Sequence, residues 1–216
     1  MEWAFVTLSA RSIDAYTQAL ASADPTPGGG SASALVAALA AALASMVARL
    51  TAASPKYAAV ATRMNEIARE ADGLVGDLVK AIDADVAAFE EVTSAYRMPK
   101  DSDERKAARS EAIQHALVSA TNAPMHVVDR CALIARLSNE LVDTGNPNAI
   151  SDAGCSALFA QTAARGAALN IRINVKGLKD ADRATEYQKR LDTMLAEIGI
   201  LVEVAVSKAD RATERT

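Results

Sequence analysis

The first chemistry this chain offers is a carboxylate set among apolar residues. Met64, Ile67, Ala71, Leu74, Leu78 and Ile82 recur at spacings of three and four, and Phe89, Val92 and Tyr96 resume the pattern. On that helical face the position between Ile82 and Phe89 is Asp85, because residues three and four apart lie on one side of a helix. Asp83 points well away and reads as solvated. A carboxylate inside an apolar stripe is costly unless it is paired, hydrogen-bonded or protonated. Burial also lifts its pKa towards the range useful for proton transfer, so such groups recur at catalytic sites. The competing account is an aspartate paired with an arginine or a hydroxyl for structure alone.

The second candidate is the stretch DPTPGGGSASALVAALAAALASMVARL, from Asp24 to Leu50. It is not a Walker A loop, since no lysine follows Gly30. It is not a dinucleotide fingerprint either, because the residues before it read as helix rather than strand. What remains is a turn, Thr26, Pro27, Gly28, Gly29, Gly30 and Ser31, feeding a helix N-terminus. Free backbone N–H groups and the helix dipole make that a site for an anion or a polar ligand. A tight turn capped by Ser31 is the plainer alternative.

The third candidate is a face carrying Asp152, Ser156, Phe159, Ala163, Gly166, Asn170 and Asn174. It spans roughly 30 Å at 1.5 Å per residue. Asp152 and Asn174 therefore cannot both reach one small reacting centre within one chain. They flank the ends of a long ligand, or one end serves a second subunit, or the face is simply polar and outward. Arg172, Lys176 and Lys179 form the nearest basic cluster. His115 and His126 have no partner at metal-ligand spacing and there is no CxxC pair, so no metal is expected. No GxSxG nucleophile elbow is present.

The elements that must position these groups read as helices. Half of the residues are hydrophobic, much of that alanine, and only 4% are aromatic. Alanine favours helix and buries little area per residue, which suits closely packed helices. Ser9 or Ser12 can cap a first helix to about Ser22, with Ile13, Tyr16 and Leu20 as its apolar stripe. The alanine-rich helix then runs to about Ala52. Ser54-Pro55 opens a long helix towards Tyr96, and Asp101 or Ser102 caps the next. Pro124 should kink or restart that one, and DTGNPNAISD is a clear break. A helix from near Ser151 is expected to end early, because NIRINVKG alternates as a short strand would. The last helix covers roughly Ala181 to Ala209. The expectation is one all-α domain over 1–216, an antiparallel bundle of about five to six long helices.

From Pro25 to Ala48 the chain carries no charge, which is long enough to span a bilayer. Its large residues, Leu35, Val36, Leu39, Leu43, Met46 and Val47, fall on one side; Ser33, Ala37, Ala41, Ala44 and Ala48 fall on the other. That pattern suits a central bundle helix covered on both sides, not a membrane span. The N-terminus shows no basic segment followed by a long apolar run, so no signal peptide is read. Net charge is -4, which gives no reason to expect nucleic acid. Cys131 and Cys155 read as two buried free thiols in a reducing cytosol.

The stretch PTPGGGSASALVAALAAALASMVARLT resembles the opening of the formiminotransferase-cyclodeaminase family, in its cyclodeaminase domain. The resemblance continues through KAIDADVAAFEEVTSAYRMPKDSDERKAAR, ATNAPMHVV, GNPNAISDAGCSALFAQTAARGAALNIRIN and the LKD that follows, and so covers nearly the whole chain. Ala38 and Ala40 stand where relatives often have glycine. The resemblance implies a dimerising helical bundle in the cytoplasm and a tetrahydrofolate derivative as substrate, with no other cofactor. It implies one of two reactions, cyclodeamination of 5-formimidoyltetrahydrofolate or hydrolysis of 5,10-methenyltetrahydrofolate. Carried over by position, the motif residues are Thr26 to Ser31, Asp85, Ser151 with Asp152, and Asn170 with Asn174. Asp85 is then the expected acid–base group and Asp152 the second choice. The glycine turn and the asparagines would hold the pterin or the glutamate tail, with Arg172 and Lys176 facing the tail's carboxylates. The small face of the alanine-rich helix would meet its twin or another helix across a subunit interface. A folate-binding or regulatory module without catalysis is the alternative.

Overall fold

The computed structural model describes residues 7–214; the first six residues, part of the stretch read for a signal peptide, lie outside them. Six α-helices are described: α1 (Ile13–Leu20), α2 (Gly29–Ala52), α3 (Ala61–Arg97), α4 (Asp103–Thr144), α5 (Ile150–Val175) and α6 (Ala181–Thr213). Their starts are set by local chemistry. Ser12, Ser102 and Asp180 each accept a hydrogen bond from the backbone N–H three residues on, which satisfies donors that a helix start leaves free. Ser54-Pro55 begins a short 3-10 turn before α3 instead of capping it directly.

Polar pairs between the helices fix their directions. Between α2 and α3, Ser45 Oγ donates to Asp72 at 2.7 Å while Gly30 faces Asp85; rising numbers on one helix meet falling numbers on the other. Arg130 with Asp77 and the two-pronged Arg63–Glu140 pair set α4 antiparallel to α3. Ser156 Oγ donates to Ala40 O at 2.7 Å and pairs with Ser138 at 2.8 Å, tying α5 to α2 and α4 at once. Helices α2 to α5 thus close into an antiparallel ring. Helix α6 lies in the groove between α4 and α5. It runs parallel to α4, as Asp129–Arg190 and Asp143–Lys208 show.

Helix α2 is long and apolar enough to cross a membrane, and its small face is what the bundle buries. Ala34, Ala37, Ala40, Ala41, Ala44 and Ala48 are fully enclosed between α3 and α5. Only part of the large face lies outward: Leu39 is 49% exposed and Met46 is exposed, as is Leu50 beyond them, whereas Val47 is fully buried and Leu35 and Val36 pack against the core. The small face therefore meets other helices of its own chain and is not free for a twin. Small side chains let backbones approach closely, and that outweighs the larger area a leucine would bury.

Three expectations about elements are corrected. The segment NIRINVKG is the end of α5 and not a strand. In α1, Tyr16 is buried but Ile13 and Leu20 are exposed. Pro124 neither kinks the chain into two helices nor restarts it, since α4 is continuous from Asp103 to Thr144. A proline within a helix deprives the carbonyl four residues earlier of its donor. That carbonyl is Ala120 O, and Asn174 Nδ2 of α5 donates to it at 2.6 Å. The asparagine supplies from a neighbouring helix the hydrogen bond that the proline removes.

Replacing Asn174 by alanine should therefore cost about 1–3 kcal/mol of stability, the usual penalty for a stranded partner. The same change made in a Pro124→Ala background should cost much less, because residue 124 then has its own N–H. Denaturant unfolding of the two single variants and the double variant reads this; equal costs in both backgrounds would refute the pairing.

Candidate active site at the glycine-rich start of α2

Helix α2 begins at Gly29 with Gly28 as its cap residue, and no side chain of that turn caps it. Its first amides are thus available to a group brought by another element. The α2–α3 register brings Asp85. A Cβ on Gly30 would lie 2.5 Å from Asp85 Cγ and 2.7 Å from Oδ2, closer than atoms can approach. The carboxylate occupies the space that a side chain at position 30 would take, so this position requires glycine for room. Burial pushes the Asp85 carboxyl above its ordinary pKa, and interaction with the Ser31 backbone N–H partly offsets this. No arginine or lysine pairs with it among the described residues. Among the described residues Asp85 thus has neither the arginine nor the hydroxyl partner that the structural-pairing account names.

Asp85 is also where the apolar stripe of α3 changes character. Met64 through Ile82 are buried, whereas Phe89 and Tyr96 are exposed, contrary to the even stripe the sequence implies. Helix α2 begins opposite Asp85 and does not extend beyond it, while α3 continues to Arg97, roughly 18 Å further at 1.5 Å per residue. The carboxylate therefore sits at the rim of the core, half-buried.

On the other side of the turn stands α5. Asn170 Nδ2 lies 3.8 Å from where a Gly29 Cβ would be, and it donates to Gly166 O at 3.2 Å. Ser33 donates to Gly29 O at 2.7 Å and fills the space above Gly166. Of the residues singled out on the α5 face, Asn170 and Gly166 therefore reach the glycine corner. Asn174 is committed to Ala120, and Ser156 is buried in helix packing. Asp152 lies in the first turn of α5, about 27 Å along the helix from Asn170. Within one chain the structure does not bring it to Asp85. Thr26 and Gly28 are half-buried, Pro27 is buried, and the Thr26–Pro27 peptide is cis.

The basic cluster disperses. Arg172 faces Asp192 at 3.6 Å, Lys176 is exposed, and Lys179 donates to Ser110. Arg172 and Arg165 line a cavity of about 670 Å³ between α5 and α6. This cavity touches the glycine corner through Gly166 and does not include Asp85. Among the described residues no three His, Cys, Asp or Glu side chains gather as metal ligands would. Cys131 is buried and its thiol is pushed up to about 12. Cys155 is exposed, which corrects its reading as a buried thiol.

Sequence reasoning missed Tyr16. Its hydroxyl lies 3.0 Å from Ser31 Oγ, and both residues are buried. Burial, with the negative charge of Asp85 adding to it, raises the phenol pKa, and the bond to Ser31 partly opposes the rise. The signal was present in the sequence as the one apolar-stripe residue of α1 that also carries a hydroxyl.

A half-buried carboxylate with a raised pKa, set against a helix start on an all-α antiparallel bundle, is a candidate for acid–base chemistry. The chain's relationships agree with that class. Residues 12–193 match the family model of formiminotransferase-cyclodeaminase, and the chain belongs to this family. It is 43% identical over 191 residues to the methenyltetrahydrofolate cyclohydrolase of Methylorubrum extorquens, covering 88% of this chain and 92% of that one. It is 30% identical to the formimidoyltransferase-cyclodeaminase of Rattus norvegicus, covering 86% of this chain but only 34% of that longer protein. The crystal structure of formiminotetrahydrofolate cyclodeaminase from Thermotoga maritima superposes with a TM-score of 0.78 at 27% identity, over 94% of this chain and 96% of that one.

The crowding at Gly30 sets a test of the site. Gly30→Ala should displace the carboxylate and lower turnover by about a hundredfold, the scale of a 1 Å misplacement. It should remove only ~1–3 kcal/mol of stability, as overpacking does. A Gly30→Ala protein that kept full turnover would place the chemistry elsewhere.

Proposed function

We propose that this chain hydrolyses 5,10-methenyltetrahydrofolate, with Asp85 as the acid–base group. The observation that carries the reading is the half-buried carboxylate against Gly30, with a raised pKa and no arginine or lysine partner among the described residues. Support for hydrolysis comes from the 43% identity with a cyclohydrolase that the chain matches over nearly its whole length. In the proposed step Asp85 takes a proton from water as the oxygen bonds to the methenyl carbon. A neutral tetrahedral centre replaces the amidinium cation. The proton then passes to one ring nitrogen as its bond to that carbon breaks, and the hydroxyl proton is released to solvent. The products are a formyl group on the other nitrogen and one net proton. As an anion, Asp85 also stabilises the cationic substrate before attack. The hydrolysis involves no change of oxidation state, and the proposal calls on no cofactor beyond the folate.

Cyclodeamination is the second reading, favoured by the likeness to the Thermotoga maritima cyclodeaminase. There the 10 nitrogen attacks the carbon of a protonated formimino group held on the 5 nitrogen, ammonia leaves, and the positive charge stays on the methenyl product. The same carboxylate would take the proton from the attacking nitrogen and give it to the departing one. In both readings the turn from Thr26 to Ser31 and Asn170 hold the ring system. Arg172, with Lys176 at the end of α5, faces the carboxylates of the tail. A cytoplasmic setting belongs to this proposal. A decay of methenyl near-ultraviolet absorbance above the blank identifies the hydrolase; its appearance from 5-formimidoyltetrahydrofolate identifies the deaminase. Binding of the folate with neither change would leave a non-catalytic module.

Two predictions follow from the raised Asp85 carboxyl. The base must be ionised, so kcat/KM should fall as pH drops through a value above the ordinary ~4 of a carboxyl. Asp85→Asn should lower kcat by about 10²–10⁴-fold and abolish that acid limb. A raised folded-state pKa means that this group's stabilisation is full below the unfolded value and is lost as pH rises through the folded value. Asp85→Asn should thus melt at or above the wild-type temperature near neutrality, with the gap closing below about pH 4. An unchanged pH–rate profile in Asp85→Asn would remove the assignment.

A homodimer is also part of the proposal, joined through the outward face of α2. Leu39, Met46 and Leu50 present large apolar side chains there, as interfaces do. Sedimentation at micromolar concentration should show a dimer, and Leu39→Glu with Met46→Glu should convert it to monomer. A wild-type protein that sediments as a monomer refutes it.

A further inference from the structure

We propose that Tyr16 is a positioning residue of this site: its phenol hydroxyl holds Ser31, and through Ser31 the first turn of α2, against the Asp85 carboxylate. The inference rests on the acid–base reading of Asp85.

Helix α1 has one buried residue, Tyr16, and its other side chains face solvent or its edge. It therefore adds almost nothing to the main core, yet it delivers a hydroxyl to the one place where α2 begins. The partner, Ser31 Oγ, is fully enclosed and 3.0 Å away. Both residues are buried, and the hydrogen bond between them is the one that each hydroxyl makes among the described residues. Ser31 stands in the first turn of α2 directly after Gly30, against which the Asp85 carboxylate lies, and its backbone N–H holds the Asp85 pKa down against the effect of burial. One residue thus receives the tyrosine through its side chain and meets the catalytic carboxylate through its main chain. The phenol is held neutral by burial and by Asp85, which keeps it a hydrogen-bonding dipole across the working pH range and not a second charge. A serine hydroxyl in a first helical turn otherwise has local backbone partners to choose from. The tyrosine leaves it a single arrangement.

A purely structural role, tethering the N-terminal segment, makes a different prediction. That segment has an independent tether: Ser9 Oγ donates to Asp83 Oδ2 at 2.5 Å, well apart from Ser31 in sequence and on another helix. Removing the Ser9 hydroxyl loosens the same segment without touching Ser31.

The test compares Tyr16→Phe, Ser31→Ala, their double variant, Ser9→Ala and Asp85→Asn, with kcat and KM measured for 5,10-methenyltetrahydrofolate and for 5-formimidoyltetrahydrofolate and normalised to the folded fraction. Tyr16→Phe should lower kcat by about ten- to a hundredfold with KM within about twofold, the pattern of an interaction realised in the transition state. Ser31→Ala should do the same, and the double variant should be no worse than either, since the two hydroxyls act as a unit. Ser9→Ala should keep kcat within about twofold of wild type. Full kcat in Tyr16→Phe, additive losses in the double variant, or an equal loss in Ser9→Ala would each overturn the positioning role while leaving Asp85 in place. Full activity in Asp85→Asn would overturn the reading of the site and this inference with it. Should Tyr16→Phe fail to fold, Ser31→Ala reads the same contact from its other side.

Discussion

The rest of the structure is arranged around the absence of a side chain at Gly30. A carboxylate can lie against the start of α2 only where no Cβ stands in its way. That closeness must be maintained along the whole α2–α3 seam, because two helices that touch tightly at one end cannot diverge far at the other. The alanines of α2 meet this demand: Ala34, Ala37, Ala41, Ala44 and Ala48 are enclosed with no side chain long enough to hold the helices apart. At the far end, Asp72 takes hydrogen bonds from both Ser45 and Arg49 and locks the register. The site's geometry and the helix composition are in this sense one constraint.

Close packing of alanine-rich helices buries backbone as well as side chains, so polar groups inside the bundle need partners. The structure meets that need across helices. Ser156 bridges Ala40 O and Ser138. Thr51 donates to Val47 O and accepts from the Asn146 N–H, anchoring the loop before α5. Asn174 completes the carbonyl that Pro124 leaves open. Each of these fixes an axial position, which a smooth alanine surface would not. A slip by one turn on any seam would strand several buried donors or acceptors, and Asp85 would lose its place opposite Gly30.

Much of this is legible in the chain. The limits of α2, the serine caps at Ser12 and Ser102, and the break at Gly145 follow from rules that act within a few residues. The singular place of Asp85 follows from helical period alone. Other features are not readable at that range. The alternation in NIRINVKG looks like a strand, but α2, α4 and α6 flank α5 and enforce a helix to Val175. Pro124 reads as a break because its rescuer is Asn174, fifty residues away on another element. Tyr16 reads as one apolar residue among three, and only the return of α1 over the start of α2 reveals what its hydroxyl meets.

By itself, then, the sequence determined the helices, their capped ends, the uncharged and small-faced character of α2, and the oddity of one aspartate in an apolar stripe. Those are consequences of period, propensity and local hydrogen bonding, which a single chain carries in its order of residues. Tertiary structure alone decided which face of α2 is covered, which of the face residues on α5 reach the glycine corner, and that Tyr16 joins Ser31 there. It decided too that Asp152 stays at the opposite end of the bundle. The physical reason is that these outcomes depend on the register between helices far apart in sequence. Register is chosen by the joint satisfaction of close contacts and buried polar groups, which no local stretch contains.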